Sequence, residues 1–294
     1  MEFHTLQSFI DFEHSTGQSV YRMILEWDMQ ERMLTEDSSF ESMKNMYLAM
    51  KYADDHYDGS LRSRSGAAGG DGDKLSSYFA THRSLTGDYI SKVMETAVKM
   101  GESNACMKRI VAAPTAGACG VIPAILISYE HFKNAPLERL VEALFISGGV
   151  GTVIAENASI SGAEGGCQAE IGSASAMGAA ALAYLEGGNA EVIVHAAALA
   201  LKGMLGSTCD PVAGLVEVPC IKRNVLGAVN AVSASQMALA GIRSVIPPDE
   251  VIESMRRIGN LLPTCLRETS QEGLAATPTG NEIRKIVISG SEEE

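Results

Sequence analysis

An all-α fold follows from three features of the sequence. Alanine-rich segments alternate with glycine-rich breaks, apolar positions recur at helical spacing, and aromatic residues are scarce at 5% although 46% of the chain is apolar. Apolar residues three and four apart build one face of a helix, and small side chains let such faces approach closely. No stretch alternates apolar with polar residues as a half-buried strand does. With 294 residues the chain can form one large domain. We read 1–294 as a single α-helical domain, with 1–57 as a helical appendage as the alternative division.

The elements follow in order. Across 5–57, positions such as Tyr21, Leu25, Met29 and Met33 recur every four residues, which predicts helix. Residues 58–74, DGSLRSRSGAAGGDGDK, hold five glycines and predict an irregular loop. A helix is expected over 86–101, with Gly101 as its stop. A short extended piece and a Pro/Gly turn then lead to a helix from about Pro123. Further helices are expected over 137–147, 169–186, 190–204, 224–245 and 249–261, the last announced by Pro247-Pro248-Asp249. Breaks are expected at SGGVGT, SISGAEGG, GSTCDPVAGLVEVPC and PTCLRETS.

Charge narrows the function. Against 23 basic residues stand 36 acidic ones, a net charge of −13. A chain this acidic lacks the electrostatic footprint of a nucleic-acid binder and is repelled by anionic membrane surfaces. The opening MEFHTLQSFIDFEH has no basic n-region, so no secretory signal is expected. The uncharged stretches 110–129 and 224–242 contain prolines, glycines and amides and fall short of the ~20 apolar residues of a membrane span. A cytoplasmic protein is expected, in which six cysteines are thiols or metal ligands rather than a disulfide framework.

Four of those cysteines sit beside glycine or proline: Cys119 in PTAGACG, Cys167 in EGGCQAE, Cys209 in GSTCDPVAG and Cys220 in VEVPC. A lone cysteine behaves as a small buried hydrophobe. A metal ligand, in contrast, has to project from a loop or helix end where N–H groups can stabilise sulfur. No CxxC pair is present, so spacing alone matches neither a zinc ribbon nor a ferredoxin run. Local chemistry shortlists these four and chooses none.

The choice comes from a resemblance. The segments SRSGAAGGDGDK, APTAGACGVIPAIL, NASISGAEGGCQAEIG, GSTCDPVAGLVEVPCIKRN and LRETSQEGLA, spread over 62–275, resemble the α chain of iron–sulfur-dependent L-serine dehydratase in that family's own order. The resemblance implies the helical catalytic domain of that family. It implies that Cys167, Cys209 and Cys220 hold a 4Fe–4S cluster, with Cys119 at most in the pocket wall and Cys106 and Cys265 as bystanders. Three thiolates leave one iron open, a Lewis acid for β-elimination of water from L-serine, giving pyruvate and ammonia without pyridoxal phosphate. The family's proposed base resembles a histidine in an SSHT-type motif of the β domain. No such motif occurs here, so the resemblance implies a separate β subunit and a heteromer active in amino-acid catabolism and gluconeogenesis. Single-chain relatives end in a cysteine that reaches back to the cluster. The ending NEIRKIVISGSEEE has none, so that plug is not expected.

Candidate substrate contacts are Arg62, Ser63, Arg64, Ser65 and Gly66, which offer a guanidinium fork, hydroxyls and N–H groups to a carboxylate; a solvated loop is the plainer alternative. Thr115, Ala116 and Gly117 could form an anion-binding nest or only a tight turn. Asn157, Gln168 and Glu170, with Ser159 and Ser161, flank Cys167 and either support the ligand and substrate or cap helices. Among six histidines only His195 lies in the Ala-rich core, as a secondary candidate for the base. The enzyme rival is a related lyase acting on another β-substituted amino acid such as L-cysteine. An Fe–S sensor or scaffold is the non-enzyme rival, with a structural zinc protein and pyridoxal-dependent deamination further behind.

Overall fold

The computed structural model describes residues 3–290. These contain thirteen α-helices and no strand, the all-α fold that the sequence predicts. The acidic 291–294 end lies outside the described residues. No helix among them is long and apolar enough to cross a membrane.

The centre is α9 (Ser173–Leu185), SASAMGAAALAYL, every residue of which is buried. A helix apolar on all sides must be covered on all sides, and α6 (Val121–Lys133), α7 (Leu137–Asn157), α10 (Ala190–Met204) and α11 (Cys220–Leu239) surround it. Alanine and glycine at its surface let these neighbours close in. Outside them, α5 (Gly87–Ala105) packs on α6 and α11, α4 (Asp71–Thr81) packs on α5, and α12 (Pro248–Leu261) packs on α10.

The first three helices, α1 (Gln7–Thr16), α2 (Val20–Glu31) and α3 (Glu36–Asp55), lie against α10 and α7. Their Phe9, Leu25 and Met50 are wholly buried in the same apolar core as Phe145 and Val150. The N-terminus of α1 is capped from afar: the Asp249 carboxylate accepts from the N–H groups of Leu6 (2.7 Å) and Gln7 (3.0 Å). An acidic group there satisfies orphan donors and opposes the positive helix end.

Several boundaries differ from those expected. SGGVGT is no break but the middle of α7, where a Cβ on Gly149 would come 2.5 Å from Ile24 Cδ1. The glycine admits a neighbouring helix at close range. Gly101 does not stop α5 for the same reason, since Ile221 of α11 lies where its side chain would be. Helix α4 begins at Asp71, inside the expected loop, and α11 begins at Cys220, four residues before its expected start. The short α8 (Gly162–Gly165) interrupts SISGAEGG, and α13 (Pro278–Gly290) was not expected. Before α9 the chain makes one wide turn of π-helix, Gln168–Gly172, directly after Cys167.

Candidate active site

Three ends of the fold meet around sulfur. Cys167 precedes the π-turn that enters α9, Cys220 is the first residue of α11, and Cys209 lies in the loop between α10 and α11. That loop is pinned to the segment after α12: the Cys209 N–H donates to Leu266 O (2.9 Å) and the Glu268 N–H donates to Cys209 O (2.7 Å). The three thiols are free and buried, with exposures of 2%, 2% and 6% for Cys167, Cys209 and Cys220. Burial pushes Cys167 up to about 11 and Cys220 up to about 12, and it raises Cys209 further. Cys167 acts electrostatically on both other thiols, as close neighbours do. Cys119 is also buried, near Cys220, its Sγ directed at Met100 O (3.7 Å). Cys106 and Cys265 are half-buried.

Polar struts that the sequence reading did not single out hold this arrangement. Arg223, one turn into α11, donates to Thr208 O (2.9 Å), pairs with Asp210 Oδ1 (2.8 Å) and reaches the Cys167 thiol. It therefore touches both neighbours of Cys209 and a second cysteine. Asn224 donates to Cys220 O (2.9 Å) and Gly117 O (2.7 Å) and accepts from the Gly120 N–H (2.8 Å), fixing PTAGACG to α11. Their signal was present in the sequence: one helical turn beyond a helix-initiating cysteine, i+3 and i+4 share its face.

Beside the thiols opens a cavity of about 300 Å³, walled by Thr115, Ala116, Gly117, Gly162, Glu170 and Glu268 among others. Glu170 is buried, and the loss of hydration raises its carboxyl above the ordinary value; Glu268 pushes the same way and the Thr115 hydrogen bond opposes. The Thr115 hydroxyl donates to Glu170 Oε1 (2.5 Å). Gly117 leaves room for that carboxylate, since a Cβ there would stand 2.5 Å from Oε1. Gly162 does the same between the thiol and the second carboxylate: its Cβ would meet Cys209 Sγ at 2.9 Å and Glu268 Oε2 at 3.2 Å.

Of the candidate residues, Thr115, Ala116, Gly117 and Glu170 thus share one cavity wall. Gln168 lies behind it, wholly buried, donating to Met255 O (3.1 Å) and accepting from the Gly206 N–H (2.9 Å). Asn157 ends α7 and donates to His4 O (2.7 Å) and Val153 O (2.9 Å), joining the N-terminal segment to α7. The Arg62–Gly66 stretch faces two ways. Ser63 and Ser65 are buried and both donate to Glu217 Oε2, while Arg62, Arg64 and Gly66 are exposed and Arg62 Nη1 donates to Gly59 O (3.0 Å) and Leu61 O (2.6 Å). His195, on α10, accepts from the Ser244 N–H (3.2 Å). Its ring is held below the ordinary histidine value by burial first and then by Arg243, and no cysteine is among its electrostatic neighbours.

Three buried free thiols are a donor set that fits an iron–sulfur cube. A cube spreads its thiolates over separate irons, and the side chain missing at Gly162 leaves space against Cys209 Sγ. Cys220 and Cys167 also sit at the starts of helical turns, where the backbone favours an anionic sulfur.

Comparison with known proteins places these residues in a family. Residues 15–275 match the family model described as serine dehydratase alpha chain. The chain is 45% identical to the probable L-serine dehydratase, alpha chain, of Bacillus subtilis over 98% of its own length and 96% of that protein's. It is 38% identical to the L-serine dehydratase, alpha chain, of Peptoniphilus asaccharolyticus, over 96% of this chain and 97% of that one. L-serine dehydratase TdcG of Escherichia coli is 46% identical over 61% of this chain, a stretch amounting to 40% of the longer bacterial protein. With three buried cysteines, the cavity beside them and near full-length similarity in agreement, this chain belongs to the serine dehydratase alpha chain family.

Proposed function

We propose that this chain is the cluster-bearing subunit of a cytoplasmic L-serine ammonia-lyase that converts L-serine to pyruvate and ammonia together with a separate β chain. The observation that carries the reading is the meeting of three buried thiols, Cys167, Cys209 and Cys220, beside a cavity whose wall includes a buried carboxylate. In the reaction the Cα proton and the C3 hydroxide leave serine as water. The resulting aminoacrylate tautomerises to an imine, and hydrolysis releases pyruvate and ammonia.

Cys167, Cys209 and Cys220 would hold the 4Fe–4S cluster, whose fourth iron supplies Lewis-acid polarisation of the departing hydroxyl. The chain's own residues bind and orient. Glu170 and Glu268, both in the cavity wall, would present negative charge to the substrate ammonium. Thr115 fixes the Glu170 carboxylate by its hydrogen bond. Main-chain N–H groups at Ala116 and Gly117, in the same wall, would serve the substrate carboxylate, and Gly117 keeps that wall low enough for a small amino acid. Removal of the Cα proton is assigned to the β chain, because the His195 ring accepts from the Ser244 N–H and no cysteine is among its electrostatic neighbours.

The test is anaerobic reconstitution with iron and sulfide, followed by pyruvate release from L-serine with and without the β chain. Turnover only with the partner is expected. Turnover by this chain alone would move the base into it, and turnover of L-cysteine but not L-serine would change the substrate.

A further inference from the structure

The glycine-rich segment ahead of α4 has the composition of a ligand-holding loop, yet its polar groups are spent inward. Glu102, in the middle of α5 and only 1% exposed, accepts from the N–H groups of Gly69 (3.1 Å), Asp71 (2.9 Å) and Gly72 (3.1 Å) and from the Tyr57 hydroxyl (2.5 Å). A side-chain carboxylate thus fills the anion nest that the glycines make. At the other end of the loop the Ser63 hydroxyl donates to Glu217 Oε2 at 2.7 Å, and Ser65 donates to the same oxygen. All three residues are buried.

Glu217 is three residues before Cys220 and forms part of the turn that starts α11. Its carbonyl accepts from the Ile221 N–H (3.0 Å), and the next carbonyl, Val218 O, accepts from the Val212 N–H (2.8 Å). Lys222 adds a second tie from α11 to the loop through Asp71 Oδ2 (2.5 Å). A continuous path therefore runs from α5 through the loop to the turn presenting Cys220. A buried carboxylate is stable only while its hydrogen bonds are made, so loop and turn order each other.

We propose that Glu217 is a positioning residue: clamped by Ser63 and Ser65, it fixes the turn ahead of Cys220 so that this thiol is presented as an iron ligand. The serines then serve the cluster through the clamp and not the substrate directly. The inference rests on the proposed cluster, but the clamp has a readout that needs no iron.

The experiment uses the full chain as wild type, Glu217→Gln, Glu217→Ala and Ser63→Ala/Ser65→Ala. In metal-free protein, alkylation of each cysteine by iodoacetamide is followed by mass spectrometry, and folding is checked by circular dichroism. Cys220 is expected to react about tenfold faster or more in Glu217→Ala and in the double serine variant, the scale for losing hydrogen bonds to a buried charged group. The rate at Cys119, whose Sγ is directed at Met100 O of α5, should stay unchanged. After anaerobic reconstitution the same variants should lose iron to a chelator faster than wild type, with Glu217→Gln intermediate. Folded variants with wild-type alkylation at Cys220 and wild-type iron retention would overturn the proposal. If Glu217→Ala does not fold, Glu217→Gln and the single serine variants decide by the same two readouts. Faster alkylation at Cys220 in a chain that takes up no iron even as wild type would support the clamp and overturn the cluster reading alone.

Discussion

Arg223 and Asp210 form an ion pair, 2.8 Å from Nη1 to Oδ1, that ties the helix beginning at Cys220 to the residue following Cys209. Asp210 is 4% exposed, and its other oxygen accepts from the Leu274 N–H (2.8 Å). Replacing Arg223 by Ala leaves that carboxylate buried without its cation, a loss of about 3–5 kcal/mol for a broken buried pair. Urea unfolding of metal-free protein should show this destabilisation. Arg223→Lys should recover only part of it, since a point charge cannot span Thr208 O, Asp210 and Cys167 as the fork does.

Gly117→Ala tests the cavity wall. The new methyl would lie 2.5 Å from Glu170 Oε1 and has to displace a carboxylate fixed by Thr115. We expect a rise in KM for L-serine of about tenfold or more, the scale of a lost hydrogen bond to a charged group, with cluster content unchanged. Glu170→Gln should act in the same direction through loss of charge. Steady-state kinetics beside iron analysis separates this from a loss of cluster.

The buried thiols set a pH dependence. Burial raises Cys119, Cys167, Cys209 and Cys220 above the ordinary value of 9.0. Folded protein therefore holds these protons more tightly than unfolded protein. That stabilisation is complete below pH 9 and is lost as the pH rises toward about 11 and 12, where Cys167 and Cys220 ionise. Chemical unfolding of metal-free chain should show falling stability above pH 9. Iron uptake should run the other way, tightening as pH rises because each ligand gives up a proton on binding. Titration against a chelator of known proton affinity measures the second trend.

His195→Asn should leave pyruvate release within about twofold of wild type, the range for a substitution away from the site's special features. The ring accepts from the Ser244 N–H, and its electrostatic neighbours are Arg243, Glu191 and Lys202.

Helical periodicity and small side chains made the all-α class legible, and α10 has the bounds expected for 190–204. Glycines misled where they admit a neighbouring helix: Gly101 and Gly149 read as stops, yet they face Ile221 and Ile24 across helix contacts that a sequence does not display. The three cysteines could be shortlisted from their helix-breaking surroundings, and the resemblance then picked the set. Glu102, Glu217 and Glu268 stayed hidden because an acid's partners are set by tertiary approach: Glu102 meets its donors 30 to 45 residues away and Glu217 meets Ser63 at a separation of 154. Arg223 and Asn224, at i+3 and i+4 from Cys220, could have been found from helical spacing once Cys220 was placed at a helix start.

The most direct test is anaerobic iron and sulfide reconstitution of the wild type and of six single Cys→Ala variants, read by iron content and by visible thiolate-to-iron absorbance. Removal of Cys167, Cys209 or Cys220 should abolish or strongly reduce both signals, whereas the variants at Cys106, Cys119 and Cys265 should match wild type. A full cluster in a chain lacking any one of the first three, or none in the wild type, would contradict the assignment.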